Sequence, residues 1–377
     1  MKVEDLYDIA KGKKPDGLTL SALDGDMRFI QIGDLRDDTN LKYCQPSNNQ
    51  VTCEEDDLLI AWDGAHAGII SYGLIGAFGS TLARLRPITD KLITPFVGRY
   101  LQSQLAEIQR NRTGATIPHV NGKHLRNLHI PVPPLADQKR IADILDMADA
   151  LRKNRREALS QLDILLQSTF QDMFGDPVTN PMGWEVVEIG DLLTSANYGT
   201  SKKADLQEGE FPILRMNNIT YSGEWDFSSL KYIDLAAKDQ AKHLVHKGQI
   251  IFNRTNSKAL VGKTAVYRRD EPFAYAGYLV RGIVNELADP EYIGGFMNTP
   301  QIKQFLKNKC RSIVGMANIN AKEFQAIRIP KPPLELQQRF ARIVESVEQQ
   351  KVRMREHHKE LDTLFASLQS RAFKGEL

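Results

Sequence analysis

Cysteine is nearly missing, with 3 in 377 residues: Cys44, Cys53 and Cys310. An odd number with no CxxC or Cys/His ligand spacing supports neither a disulfide framework nor a zinc site, so the thiols read as buried or incidental. A long apolar run is missing too. The most apolar stretch, residues 65–78, is broken by His66 and several glycines and falls short of the ~20 residues a membrane-spanning helix needs, so it reads as strands and turns and no membrane is expected as a partner. Met1-Lys2-Val3-Glu4-Asp5 opens on charge without an apolar stretch; it lacks the form of a secretory signal, and a cytoplasmic location is expected. No sign of charge dominates. The net charge is +2, residues 1–129 carry 15 Lys+Arg against 16 Asp+Glu, and residues 181–328 carry 19 against 16. A nucleic-acid ligand would therefore have to be met by local patches rather than by the field of a whole domain. What is present is the composition of a folded chain, 42% hydrophobic and 25% charged, at a length that favours two globular units plus connecting elements.

Catalytic motifs are equally scarce. An adenine methyltransferase grips its flipped base with an Asn/Asp-Pro-Pro-aromatic loop, whereas Pro133-Pro134 and Pro332-Pro333 are each followed by leucine. Gly262-Lys263-Thr264 resembles the end of a phosphate loop, but Ser257 stands where its first glycine is needed. His357-His358 falls within a helical pattern with no further metal-ligand spacing, which favours a polar position of a coil over a metal site. The run Glu54-Glu55-Asp56-Asp57 imitates paired catalytic carboxylates, yet contiguous acids at a strand entrance are usually a solvated turn, and all four are expected to face solvent. No catalytic residue, metal or cofactor is assigned to this chain.

A repeat is unmistakable. IPVPPLADQKRIADIL (130–145) and IPKPPLELQQRFARIV (329–344) share nine of sixteen positions at an offset of 199 residues (329 − 130), and the offset holds without a gap for thirty residues more. After each Pro-Pro the pattern takes on a helical period. In the first copy Ile141, Ile144, Ala148, Leu151, Ala158, Leu162 and Leu165, and in the second Phe340, Ile343, Val347, Gln350, His357, Leu361 and Leu364, alternate three- and four-residue spacings, with Arg155 and Met354 filling the intervening positions. That is the a/d seam of a coiled coil. Proline is tolerated at a first helical turn, and Gly175-Asp176-Pro177 and Gly375 supply the stops. Two rods of about 38 residues follow, each ~57 Å long at ~1.5 Å per residue. Each apolar stripe needs a partner, and the matching stripe is the other copy. With six residues, Val178 to Gly183, between the first helix and the second globular segment, the helices should run antiparallel. The expected architecture is α+β and pseudo-twofold: a β-rich domain (1–129), a coil helix (130–175), a linker (176–183), a second β-rich domain (184–328) and a second coil helix (329–377).

The two globular segments look related but diverged. Phe29-Ile30-Gln31-Ile32 resembles Phe211-Pro212-Ile213-Leu214, and residues 57–60 resemble 248–251; both read as strands. Gly-containing loops, residues 114–121 and 315–320, precede the two proline motifs. Closely similar helices do one shared job, and dissimilar domains do two different ones. Polar groups suited to base edges and phosphates gather at strand ends and loops. In the second domain these are Arg215, Asn217, Asn218, Asn253, Arg254, Asn256 and Lys258, since Arg pairs bidentately with guanine and Asn with adenine. Their counterparts are Gln31, Arg36, Trp62, Asp63 and His66. Lys13-Lys14, Arg112 and Lys202-Lys203 would serve phosphates, and Thr113, Thr116, His119 and Asn318 lie in the paired loops. An ordinary exposed polar residue is the simpler account of any one of them; the grouping raises them above it.

The paired IPxPPLxxQ motifs, each opening a long helix after a variable β-rich domain, closely resemble the specificity subunits of type I restriction-modification enzymes, over essentially the whole chain. The resemblance implies that each variable domain is a target recognition domain reading one half of a split DNA site. It implies that the two helices form an antiparallel coiled coil that spaces the domains and docks two methyltransferase subunits. Those partners would carry S-adenosylmethionine and flip out an adenine in each half-site, and two helicase-nuclease subunits would join for cleavage. A rival reading is a DNA-free scaffold joining two protein-binding domains; it would show no salt-dependent affinity for duplex DNA. Another is an enzyme with a diffuse active site, which the missing motifs disfavour.

Overall fold

The computed structural model describes residues 1–15, 17–37, 39–313 and 316–377; Gly315, in the second paired loop, lies outside them. The chain divides into two units, residues 1–155 with 357–377 and residues 156–356.

Unit 1 opens with strands β1 (Tyr7–Lys11), β2 (Met27–Ile30), β3 (Tyr43–Cys44), β4 (Thr52–Cys53), β5 (Leu58–Ala61), β6 (Ile70–Tyr72), β7 (Gly76–Phe78) and β8 (Leu82–Pro87). They form two sheets, ordered β1-β8-β5-β6 and β3-β2-β7-β4. Neighbouring strands are antiparallel except β2 and β7, which run parallel with Ile30 opposite Phe78. The strand β5, Leu58-Leu59-Ile60-Ala61, is buried on both faces. Its alternation explains how: Leu58 and Ile60 enter a core shared with the helices, while Leu59 and Ala61 enter a second core with Ile30 and Phe78 of the other sheet. Helices α1 (Thr94–Ser103), α2 (Leu105–Arg110) and α3 (Gly122–Asn127) follow, and α4 (Leu135–Phe174) leaves the unit.

Unit 2 repeats this plan. It contains β9 (Glu185–Glu188), β10 (Leu193–Tyr198), β11 (Phe211–Leu214), β12 (Lys231–Ile233), α5 (Ala237–His243), β13 (Leu244–Val245), β14 (Ile250–Asn253), β15 (Thr255–Asn256), β16 (Thr264–Val266), β17 (Phe273–Tyr275) and β18 (Leu279–Val284). Next come α6 (Pro290–Asn298), α7 (Pro300–Lys309), β19 (Arg311–Ile313), β20 (Met316–Asn318), α8 (Ala321–Gln325), β21 (Arg328–Lys331) and α9 (Leu334–Lys374). The sheets β10-β18-β14-β16 and β12-β11-β17-β13 match those of unit 1 strand for strand, down to the one parallel pair, β11 with β17. The strand β14 divides itself between two cores as β5 does, Ile250 and Phe252 to one and Ile251 to the other.

The repeated motif has a mechanical explanation. Its glutamine, Gln138 or Gln337, is fully buried. The Gln138 side-chain carbonyl accepts from the Ile93 amide (2.9 Å), and its NH2 donates to the carbonyls of Lys91 and Pro133 (both 2.8 Å). Gln337 does the same with the Asp289 amide (2.9 Å) and the carbonyls of Leu287 (3.5 Å) and Pro332 (2.9 Å). One side chain thus satisfies backbone groups of both the helix entrance and the domain loop above it, where an unpaired buried polar group would be costly. The helices end where glycine takes up the left-handed backbone, Gly175 at φ +80° and Gly375 at φ +76°.

Within each unit the long helices pair antiparallel. In unit 1 Arg140 donates to the carbonyl of Leu377 (2.9 Å), and Arg152 binds Asp362 (2.6 Å). In unit 2 Asp163 binds Lys351, and Phe170 meets Phe340 edge-on at 5.5 Å. The seam differs from the expected one in its second series of positions. Ile141, Phe340 and Val347 are buried and Ile144, Leu162, Ile343 and Leu361 half-buried, but Leu151 (54%), Leu165 (47%) and Leu364 (48%) are exposed. The expected Gln350 and His357 are exposed as well. The inward positions alternating with 141, 148, 340 and 347 are Leu145, Arg152, Leu166, Val344, Lys351, His358 and Phe365. Three-then-four and four-then-three spacings share every seventh residue, and the fold takes the phase that also faces each domain. Ile141, Ala142 and Leu145 pack into the unit 1 core with Ala372, and Phe340 and Val344 into that of unit 2. This phase puts the cations Arg152 and Lys351 inside, which an apolar pattern passes over.

The acidic turn needs a second correction. Asp57 is buried, receives Arg86 through two hydrogen bonds (2.9 and 2.7 Å) and accepts from the Glu54 amide (2.8 Å), while Glu54, Glu55 and Asp56 are exposed. The carboxylate at the strand entrance closes the turn and anchors β8. Cys44 and Cys53 are buried, and burial pushes the Cys53 thiol up to about 11.

Candidate nucleic-acid interface

Both units bring their central strand ends to one edge. In unit 1 the parallel strands β2 and β7 finish there, β5 runs out into Trp62-Asp63, and the 113–119 loop closes over it. Trp62 donates its amide to Thr81 (2.8 Å) and accepts from Val120 (2.9 Å); Gly64 donates to Pro118 (2.8 Å). Thr113 and His119 exchange backbone hydrogen bonds. Arg112 donates from its guanidinium to the carbonyls of Gln109 (3.0 Å) and Ala65 (3.3 Å), tying the loops together. Arg36 reaches His66 Nδ1 at 2.8 Å. Trp62, Asp63, His66, Arg36, Arg112, Thr113 and His119 thus share one neighbourhood, with Thr116 exposed at the loop tip. Gln31 ends β2 at this edge, its amide donating to Asp34 at 2.6 Å. Lys13 and Lys14 are exposed just past β1.

In unit 2 the same edge is built from the ends of β11, β17 and β14 and the small sheet β15-β20-β19. Arg254 donates its amide to Tyr278 (3.0 Å) and accepts from Ile319 (2.9 Å). Asn318 pairs with Thr255 across β20 and β15, and Asn256 with Ala317. Asn217 and Lys258 are exposed. Arg215 ends β11 with its guanidinium on the carbonyl of Ser229 (2.7 Å).

Two expected readers are structural. Asn218 is buried; its side chain accepts from the Arg215 amide (2.9 Å) and donates to the carbonyls of Asp226 (2.8 Å) and Ser229 (3.1 Å). Asn253 is buried and caps the Thr255 amide (3.2 Å). Asn218, with both side-chain groups bonded to backbone, is a fold-builder, whereas the Asn253 oxygen is used and its buried NH2 has no partner among the described residues; nothing in the residue type separates either from an exposed reader. Lys202 forms an ion pair with Asp239 (3.1 Å), and Lys203 beside it is exposed.

The structure adds residues that the sequence pattern did not single out. Lys11, at the end of β1, lies over the Trp62 ring at 5.5 Å from its centroid and binds Asp63 at 3.2 Å. Arg254 lies over the Tyr198 ring at 4.8 Å. Tyr278, half exposed, stands beside them on the same edge. The only sequence signal is glycine: Gly12 and Gly199 follow Lys11 and Tyr198, and a Cβ at either would collide with the carbonyl oxygens of the opposing strand end, Phe78 and Gly79 or Tyr275 and Ala276. Among the described residues there is no group of three side chains able to hold a metal ion, and no helix long and apolar enough to cross a membrane.

Comparison with known proteins agrees with this architecture. The family profile for the type I restriction modification DNA specificity domain matches residues 1–161 and again 181–361. The specificity subunit of the type I restriction enzyme MjaVIII from Methanocaldococcus jannaschii is 26% identical over 369 residues, 92% of this chain and 85% of that protein. The EcoKI specificity subunit of Escherichia coli is 26% identical over 326 residues, 80% of this chain and 69% of that protein. Among solved structures, the S subunit of a type I restriction-modification system from M. genitalium aligns with a TM-score of 0.60 at 15% identity, covering 99% of this chain and 95% of that one.

Proposed function

This chain belongs to the type I restriction-modification DNA specificity family, and on that premise we propose that it is the DNA sequence-specificity subunit of such a complex, each unit reading one half of a bipartite duplex site. The observation that carries the reading is the repeated topology with exchanged chemistry. The same strand-end edge is built twice, presenting Lys11, Trp62, Asp63 and His66 in one unit and Tyr198, Arg254, Asn256 and Asn318 in the other. Two unlike readers on one scaffold suit an asymmetric, split site, because base identity is read by side chains at groove edges while the backbone geometry is held constant. The relatives' names, specificity subunits of type I restriction enzymes, support the same role.

The chain's own contribution is positioning. The paired long helices set the separation between the two readers and offer the surface on which two methyltransferase subunits dock. Those subunits carry S-adenosylmethionine and the transfer chemistry, and two helicase-nuclease subunits complete the cleaving form. No bond is made or broken by this chain. Sequencing N6-methyladenine in the source genome, with this gene intact and with it deleted, tests the reading. A split motif that disappears on deletion supports it; methylation that does not depend on the gene, with the methyltransferase expressed, rejects it.

A further inference from the structure

The strand-end edges of the two units hold the same device with its parts exchanged. Equivalence of positions follows from backbone pairing. Lys11 lies opposite Ala83 in β8 and Tyr198 opposite Val280 in β18, each followed by the close-approach glycine. Lys13 donates to the Phe78 carbonyl (3.2 Å) as Thr200 does to that of Tyr275 (2.9 Å). Trp62 and Arg254 are bracketed alike: each donates to the residue that opens the last long strand turn, Thr81 or Tyr278, and each accepts from the residue after the closing loop, Val120 or Ile319. The cation therefore comes from the first strand and the ring from the central strand in unit 1, and the reverse holds in unit 2.

The rings nevertheless abut the same landmark. Asn121 and Asn320, at the offset of 199 residues (320 − 121), cap α3 and α8. The residue after each cap meets the ring: a Cβ at Gly122 would stand 3.3 Å from Trp62, and the Ala321 amide donates to the Tyr198 hydroxyl at 2.9 Å. Trp62 packs against the unit 1 core and the exposed Tyr198 is held through its hydroxyl, and neither placement requires a cation over the ring. Building the ring-plus-cation arrangement from opposite strands points to a requirement on the arrangement itself.

We propose that these pairs are DNA-contacting elements with different ligand atoms. The Arg254–Tyr198 pair reads a guanine in the major groove, and the Lys11–Trp62 pair grips a backbone phosphate. This rests on the DNA-specificity role proposed above. The Arg254 guanidinium is held over the Tyr198 ring (4.8 Å) and donates from one nitrogen to the Gly277 carbonyl (3.4 Å), contacts that restrict its planar fork, and that fork matches the O6 and N7 of guanine. An ammonium is a point charge without directional preference, which suits it to a phosphate that takes the place of Asp63 on Lys11. Unit 2 should therefore specify a guanine through this position, and unit 1 should gain affinity but no base identity from its own.

The test is selection of duplexes from a randomised library by the full chain and by its R254K, Y198L and K11Q variants, with affinity measured against salt. R254K and Y198L should each erase the preference for one guanine in one half-motif, with affinity for that site falling on the order of tenfold or more. The remaining bases of the same half-motif stay specified and show that unit 2 is folded in R254K and Y198L, whereas loss of that whole half-motif in both overturns the single-guanine assignment. K11Q should leave the motif unchanged, weaken binding to all sequences alike and lower the salt slope by about one. A full motif retained by both R254K and Y198L, or a base preference altered by K11Q, overturns the assignment while leaving the DNA reading standing. A wild-type chain that selects no motif and binds without salt dependence sinks the DNA reading, and this inference with it.

Discussion

Lys351 shows how much a single charged side chain can decide. It is 2% exposed, and its ammonium touches Asp163, Glu224 (2.8 Å) and Glu348 (3.2 Å). Burial works against the charged form, but hydrogen bonds to Asp163 and Glu224 and the charge of Glu348 outweigh it and hold the Lys351 pKa above its ordinary value. Glu224 is held below its own ordinary value: burial opposes this, and Lys351 and Arg355 overcome it. Asp163 goes the other way, raised by burial. Removing the cation takes the lysine partner from Asp163 and leaves Glu224 to Arg355 (2.7 Å) and Glu348 to Arg268 (3.9 Å), so K351M should destabilise unit 2 by about 3 kcal/mol, read as a shift in the urea midpoint. The sign with pH follows from the directions. A raised lysine contributes stability that is complete below its unfolded value, ~10.4, and lost as pH rises through the folded one; a lowered Glu contributes stability present above ~4.3 and lost on acidification. The stability gap between wild type and K351M should accordingly be widest in the neutral range and shrink toward both extremes. A gap of constant size from pH 3 to pH 11 would contradict the electrostatic account.

The elements themselves can be tested at the seam and at its clamp. Leu145 is fully buried and Leu151 is more than half exposed, although a leucine count along α4 ranks them equally. L145A should cost about 3 kcal/mol and L151A under about 1; equal losses in thermal melts would restore the leucine-based phase. Q138L removes three backbone hydrogen bonds at once and leaves the Ile93 amide and two carbonyls unpaired, for a loss of about 3 kcal/mol, and Q138E should rescue little because a carboxylate cannot donate to carbonyls. Much of this was legible beforehand. The repeat, the two long helices, their antiparallel sense and their glycine stops follow from prolines, spacing and a short linker, all local or periodic properties. The seam phase was not, because Arg152 and Lys351 sit inside by pairing with Asp362 and Asp163, partners more than 180 residues away. The same reason hid the cation–ring pairs, whose members lie 51 and 56 residues apart (62 − 11; 254 − 198), and made buried Asn218 look like exposed Asn217.

For the whole molecule, the proposed ruler can be cut to a chosen length. Residues 152 and 362 meet in unit 1 and residues 163 and 351 in unit 2, so advancing along α4 matches retreating along α9 one for one. In the proposed ruler, with that register running unbroken along both helices, residues 153–159 face 355–361, and deleting both sets removes one heptad from each strand of the coil. A heptad keeps the seam in phase, so Arg152–Asp362 and Lys351–Asp163 can both re-form. At ~1.5 Å per residue the coil loses about 10 Å, which is about three base pairs at ~3.4 Å each. The double deletion should leave both half-motifs unchanged and shorten the unspecified spacer by about three base pairs, read directly from the methylated motif in the genome. It should also weaken binding. Three base pairs turn the second half-site by roughly 100°, at 10–10.5 base pairs per turn, relative to a coil that has kept its phase. Deleting only one of the two sets puts the two ion pairs two turns out of register with each other, so both cannot form at once, and that variant should lose the motif altogether. A shortened coil that still selects the original spacer would show that the separation is set by the partner subunits instead of by these helices.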